Sequence, residues 1–144
     1  MNRRHFFRQS AGLALWPLVA GGLSACGRDT PLEVKLGESH CAYCDSVIAD
    51  ARFAAQVRVP AGDHHLFDDF GCALRWIKDQ TLPEHTVAFW VMDHRGGYWV
   101  DAFTAHYYPD TPSPQGYDLA ASTVPAEGQL DFAEAKARVL ARPA

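Results

Sequence analysis

Apolar and polar residues alternate from Arg52 to Val59. Phe53, Ala55, Val57 and Val59 fall on one side, and Arg52, Ala54, Gln56 and Arg58 on the other. A period of two predicts a half-buried strand. Pro60-Ala61-Gly62-Asp63 reads as a turn, and His64–Phe67 returns as the second strand of a hairpin. The period then lengthens: Phe70, Ala73, Leu74 and Ile77 share one face of a helix capped by Asp68 or Asp69, running to about Gln80 and stopped by Pro83. Thr86–Met92 is an apolar run, read as a buried strand. Asp93–Gly97 turns the chain into a strand at Tyr98–Phe103, with Trp99 as the expected core anchor. Residues 109–116 hold three prolines and read as a rigid loop. Tyr117–Ala121 is a short strand. Asp131–Ala141 is a second helix in which Asp131 and Glu134 are spaced as a capping box. Phe132, Ala135 and Val139 share its face, and Glu134 and Arg138 stand at pairing distance. The order predicts an α+β fold of mostly antiparallel sheet, in two similar strand-strand-helix halves.

The first 25 residues read as a segment outside that fold. Arg3, Arg4 and Arg8 precede a run of apolar and small residues, the pattern of a secretory signal. Asn2-Arg3-Arg4-His5-Phe6-Phe7-Arg8 is similar to a twin-arginine export signal. Leu23-Ser24-Ala25-Cys26 resembles a bacterial lipobox, which would make Cys26 a lipidated anchor. Residues 26–37, with Gly27, Pro31 and Gly37, read as a tether, and 38–144 as the domain. The expected location is the cell envelope, facing the periplasm.

Charge narrows the partners. Cleavage before Cys26 would remove three arginines and no acid, moving the formal net charge from −4 to −7. An acidic domain argues against nucleic acid and against an electrostatic hold on anionic lipid, which leaves membrane attachment to the anchor.

Three cysteines then remain, Cys41, Cys44 and Cys72, an odd number for an exported disulfide framework. Cys41-Ala-Tyr-Cys44 brings two sulfurs to one point. Thiolates there suit Cu(I), Zn(II) or an iron–sulfur cluster. The same spacing serves a disulfide in an oxidising compartment or a redox pair, and it leaves the choice open. His40 adjoins the pair as a candidate ligand. His64 and His65 lie on opposite faces of one strand, so at most one of them reaches a given site. Cys72, in the first turn of the first helix, is either a small buried hydrophobe or a third thiol of the site. His85, His94 and His106 carry no partner spacing and are assigned no role.

Taken together, six stretches resemble the NosL family. They are Cys41-Ala-Tyr-Cys44-x-x-x-Ile48, Arg52-Phe-Ala-Ala-Gln56, Phe67-Asp-Asp-Phe-Gly-Cys72, Val91-x-Asp93, Trp99-Val-Asp-Ala102 and Pro114-x-Gly116-Tyr117-x-Leu119-x-Ala121. The resemblance implies a lipid-anchored protein that delivers Cu(I) during assembly of the copper centres of nitrous oxide reductase. It also implies a fold of two small ββαβ-like halves, distantly similar to organomercurial lyase. The family pattern has Met two places after the second Cys and Met after the loop proline; here Ser46 and Gln115 stand there. The lyase likeness extends to Cys72-Ala-Leu-Arg75, but Arg75 occupies the place of the acid that would deliver a proton, so no catalytic residue is assigned.

The expected function is therefore a non-enzymatic metallochaperone. Its site is Cys41 and Cys44, with His40, Cys72 and His64 as candidate further ligands. Its cargo is Cu(I), with Zn(II) as the alternative, and its partner a copper enzyme or the machinery assembling it. The alternatives are a structural or interaction lipoprotein with a Cys41–Cys44 disulfide, and a thiol oxidoreductase.

Overall fold

The computed structural model describes residues 30–143. The expected export signal with Arg3 and Arg4, and the lipidation site Cys26, lie outside the described residues. Within them the chain forms β1 (Ala55–Arg58), β2 (His64–Phe67), α1 (Phe70–Asp79), β3 (Ala88–Met92), β4 (Trp99–Asp101), β5 (His106–Pro109), β6 (Leu119–Ser122) and α2 (Phe132–Leu140). Every strand pair is antiparallel. One sheet has the order β2-β1-β3-β4 and a second consists of β5 and β6. A single bridge between Asp93 and Ala121 joins the two. The fold is α+β, as the order of elements predicts.

The sheet register explains the core. Ala55 lies opposite Phe67 on one side and Val91 on the other, and Val57 lies opposite His65 and Phe89. Ala55, Val57, Phe67, Phe89 and Val91 are all buried, so one face of the sheet is a continuous apolar row. The α1 face carrying Phe70, Ala73, Leu74 and Ile77 packs into the same core with Ala135 and Val139 of α2. Phe70 stacks on Tyr107 with ring centroids 4.4 Å apart, which ties the first helix to the second sheet. Both helix starts follow the sequence: Asp69 caps α1 through Gly71 N–H, and Asp131 and Glu134 form the capping box of α2.

Several expectations are corrected. The strand β1 is not half-buried, because Gln56 on its polar side, like Ala54 just before it, is as inaccessible as Val57. The segment before the Cys pair covers that side. Gln56 Oε1 accepts from Leu32 N–H at 2.7 Å, and its Nε2 donates to Leu32 O at 3.1 Å. Trp99 is not the core anchor: in the three-residue β4 its neighbour Val100 takes the buried position. Residues 106–109 form a strand that the periodicity did not reveal, and Tyr107 within it is fully buried. Its hydroxyl donates to Ala102 O at 2.6 Å. Arg138 pairs with Asp110 at 2.8 Å, while Glu134 is engaged in the capping box.

Candidate metal centre

The Cys41–Cys44 loop is built almost wholly from backbone hydrogen bonds. A bridge between His40 and Val47 closes its base. Cys41 N–H donates to Ser46 O at 2.9 Å, and Asp45 N–H returns to Cys41 O at 2.9 Å. The reversal puts Asp45 at φ 61°, a conformation Asp tolerates better than most residues. Ile48, fully buried, plugs the loop into the core. Ala42 N–H donates to Leu66 O at 2.8 Å, which docks the loop against the end of β2.

That docking brings three elements to one point. The strand β2 ends at Phe67, Asp68 follows, Asp69 starts α1, and Cys72 lies in its first turn. One ligand atom each from Cys41, Cys44, Asp68 and Cys72 lies within 4.8 Å of every other. All three cysteines are free thiols. Cys41 and Cys72 are buried and Cys44 is exposed, so the cluster has a closed floor and one open side. Asp68 is buried as well. Its Oδ1 lies 3.6 Å from Cys44 Sγ, and its Oδ2 accepts from Gln115 Nε2 at 2.7 Å. Gln115 Nε2 also reaches Ser46 Oγ at 3.4 Å.

The three thiols do not ionise alike. A hydrogen bond from the Cys72 thiol outweighs burial and lowers the Cys41 pKa from 9.0 to about 6. The same contact, reinforced by burial, pushes Cys72 far up, so Cys72 keeps its proton as donor. Desolvation raises Cys44. At neutral pH the cluster thus holds a ready thiolate at Cys41, a protonated donor beneath it at Cys72, and a protonated thiol at the opening.

The sequence candidates separate accordingly. Cys41, Cys44 and Cys72 come together. His40 and His64 are not members of the cluster: His40 Nδ1 lies 3.0 Å from Asp45 O at the loop surface, and His64 Nδ1 bonds Gln56 Oε1 at 2.6 Å. Sequence reasoning treated Asp68 only as a rival helix cap to Asp69. No local signal marks it, because Asp68 precedes the helix cap Asp69 and joins the cluster only through the fold.

The loop that carries Gln115 is fastened to the same helix start. Ser113 Oγ donates to Asp69 Oδ2 at 2.5 Å and Gln115 N–H to the same oxygen at 3.1 Å. Gly71 leaves room for the Tyr117 ring, whose Cγ would lie 2.2 Å from a Cβ at that position.

The chain matches no protein-family model and no curated protein sequence. Its fold is similar to the crystal structure of the copper chaperone NosL from Shewanella denitrificans, with a TM-score of 0.57 and 12% identity. The alignment covers 78% of this chain and 87% of that one.

Proposed function

We propose that this protein is a metal chaperone of the NosL kind, carrying Cu(I) in the cell envelope for delivery to a copper enzyme such as nitrous oxide reductase. One observation carries the proposal: three thiols and a carboxylate converge at a point open on one side, in a fold similar to that of a copper chaperone. The donor set fits the cargo, since thiolate sulfur is the soft ligand that Cu(I) prefers. Cys41 and Cys44 are the carrying pair. Cys41 is already ionised at neutral pH and receives the ion first. Cys44 loses its proton as it binds, because only a deprotonated thiol ligates. Cys72 holds the Cys41 sulfur in position from below. Because Cys44 is exposed, a ligand of the client can replace it while Cys41 still holds the ion, so release proceeds by ligand exchange and no redox change is needed.

A membrane anchor at Cys26 following export through the Arg3-Arg4 signal completes the proposal. Acyl chains would hold the domain at the membrane, and the cargo site would face the periplasm.

Delivery is tested by mixing the Cu(I)-loaded chain with copper-free nitrous oxide reductase and its assembly proteins, without oxygen. Cys44→Ala should bind Cu(I) at least about tenfold more weakly than wild type and, once loaded, should give it up no more slowly, because the ligand displaced in the exchange is already gone. A loaded Cys44→Ala that transfers Cu(I) more slowly than wild type, or that holds it as tightly, would contradict the exchange route.

A further inference from the structure

We infer that Asp68 is a metal ligand, aimed by Gln115, and that it gives this centre a second, four-coordinate binding mode for a divalent ion of the Zn(II) class. The inference rests on the metal-carrying reading of the same centre and adds an oxygen donor to it. Three observations support it.

The first is geometry. A tetrahedral ion with sulfur ligands at about 2.3 Å holds neighbouring donors roughly 3.5–3.8 Å apart. Cys44 Sγ and Asp68 Oδ1 are 3.6 Å apart, the spacing of two donors on one ion. The remaining pairs among Cys41, Cys44, Asp68 and Cys72 all fall within 4.8 Å, so small side-chain movements bring all four donors onto it.

The second is chemistry. A carboxylate is a hard donor that adds little for Cu(I), whereas Zn(II) accepts thiolate sulfur and carboxylate oxygen together and takes four ligands in closed sites. With Cys44 and Cys72 releasing their protons as the ion binds, three thiolates and one carboxylate make such a set without calling on His40 or His64.

The third is support from outside the ligand set. A ligating carboxylate is normally held by a hydrogen bond to its other oxygen. Gln115 Nε2 supplies that bond at 2.7 Å to Asp68 Oδ2, leaving Oδ1 turned toward Cys44. Ser46 Oγ lies 3.4 Å from the same amide nitrogen. The amide and hydroxyl at these two positions are thus the parts that hold an oxygen ligand in place, where a thioether would offer sulfur directly. On this account residues 46 and 115 tune the centre toward a divalent ion as a second cargo or competitor.

The test is a parallel titration of the reduced full chain with Zn(II) against a chromogenic Zn(II) chelator, and with Cu(I) against a Cu(I) chelator. Co(II) serves as the spectroscopic probe of coordination. Wild type should bind one Zn(II) and give the intense ligand-field and thiolate charge-transfer bands of tetrahedral Co(II). Asp68→Asn should weaken Zn(II) by about tenfold or more and Cu(I) by several-fold less, since the carboxylate is a ligand for the first ion and only a neighbour of Cys44 for the second. Gln115→Leu, an exposed loop change that the fold should tolerate, should weaken Zn(II) by about tenfold through the misaimed carboxylate. Zn(II) binding unaffected by both variants would overturn the inference, as would no Zn(II) uptake by wild type. Equal loss of both ions in Asp68→Asn and Gln115→Leu would also overturn it, by making Asp68 a structural support. Failure of Cu(I) binding in wild type, with Zn(II) still dependent on Asp68, would remove the Cu(I) cargo and leave the oxygen ligand standing.

Discussion

Ser113 Oγ donates a 2.5 Å hydrogen bond to Asp69 Oδ2, the carboxylate whose other oxygen caps α1 at Gly71. One side chain therefore starts the helix that carries Cys72 and fastens the loop that carries Gln115. In Asp69→Asn one of the two oxygens becomes an NH₂ group facing an N–H or O–H donor, whichever way the amide turns. The expected cost is about 1–3 kcal/mol of folding stability, read from urea denaturation. Zn(II) affinity should fall with it, because Gln115 loses its anchor.

The unequal thiols set the pH dependence of metal uptake. Cys41 ionises near pH 6 and Cys44 well above that. Between about pH 6 and 8 each Cu(I) bound by the pair should displace about one proton, and the apparent Kd should fall about tenfold per pH unit. Below pH 6 both thiols are protonated, the count rises to about two, and the slope steepens to about a hundredfold per unit. Cys72→Ala removes the hydrogen bond that lowers Cys41, so the break should move to higher pH. Competition titrations at a series of pH values report both slopes and the break.

Gly71 has no substitute at its position. An added methyl would meet the Tyr117 ring at 2.2 Å from its Cγ, the rigid base of that side chain. Gly71→Ala should cost about 1–3 kcal/mol through overpacking. The displaced ring belongs to the loop that holds Gln115, so thermal stability and Zn(II) affinity should drop together.

Much of this was legible in the sequence where the signal was local. The hairpin β1–β2, the Asp69 cap, the apolar face of α1 and the Asp131–Glu134 box all rest on neighbours within a few positions. The failures share a cause in tertiary contact. Gln56 is polar yet fully buried, because the chain at Leu32, 24 positions away, supplies its partners. The strand His106–Pro109 has no alternation and ends in proline, so its burial, centred on Tyr107, comes from packing against Phe70. In the centre, Cys41 and Cys44 announce themselves by spacing. Asp68 and Cys72 join them only because Ala42 docks on Leu66, and nothing local encodes that contact. Gln115 read as a lost sulfur ligand, and its bond to Asp68 became visible only once the loop was fastened to Asp69.

Asp93 lies at the junction of the two sheets, bridged to Ala121, and is not a member of the Cys41–Cys44–Asp68–Cys72 cluster. Burial raises its carboxyl, but N–H donors from Gly96, Thr123 and Arg95 and the Ser122 hydroxyl prevail and hold it well below the usual carboxylate range. A carboxylate depressed in the folded state contributes stability above its unfolded pKa of about 3.9, and that stability is lost as pH falls through the folded value. Asp93→Asn should therefore be less stable than wild type by about 1–3 kcal/mol at pH 7. The gap should narrow in acid, and metal affinity at pH 7 should be unchanged. Denaturation at pH 7 and pH 3, with a metal titration at pH 7, checks all three outcomes.

The proposed function stands on Cys41 and Cys44 as the pair that carries Cu(I). A Cu(I) titration of the reduced chain against a chromogenic Cu(I) chelator, without oxygen, tests it most directly. The account predicts that wild type withholds one equivalent from the chelator and that Cys41→Ser/Cys44→Ser withholds none. An equivalent retained by the double variant, or a wild type that cannot compete with the chelator, would contradict it.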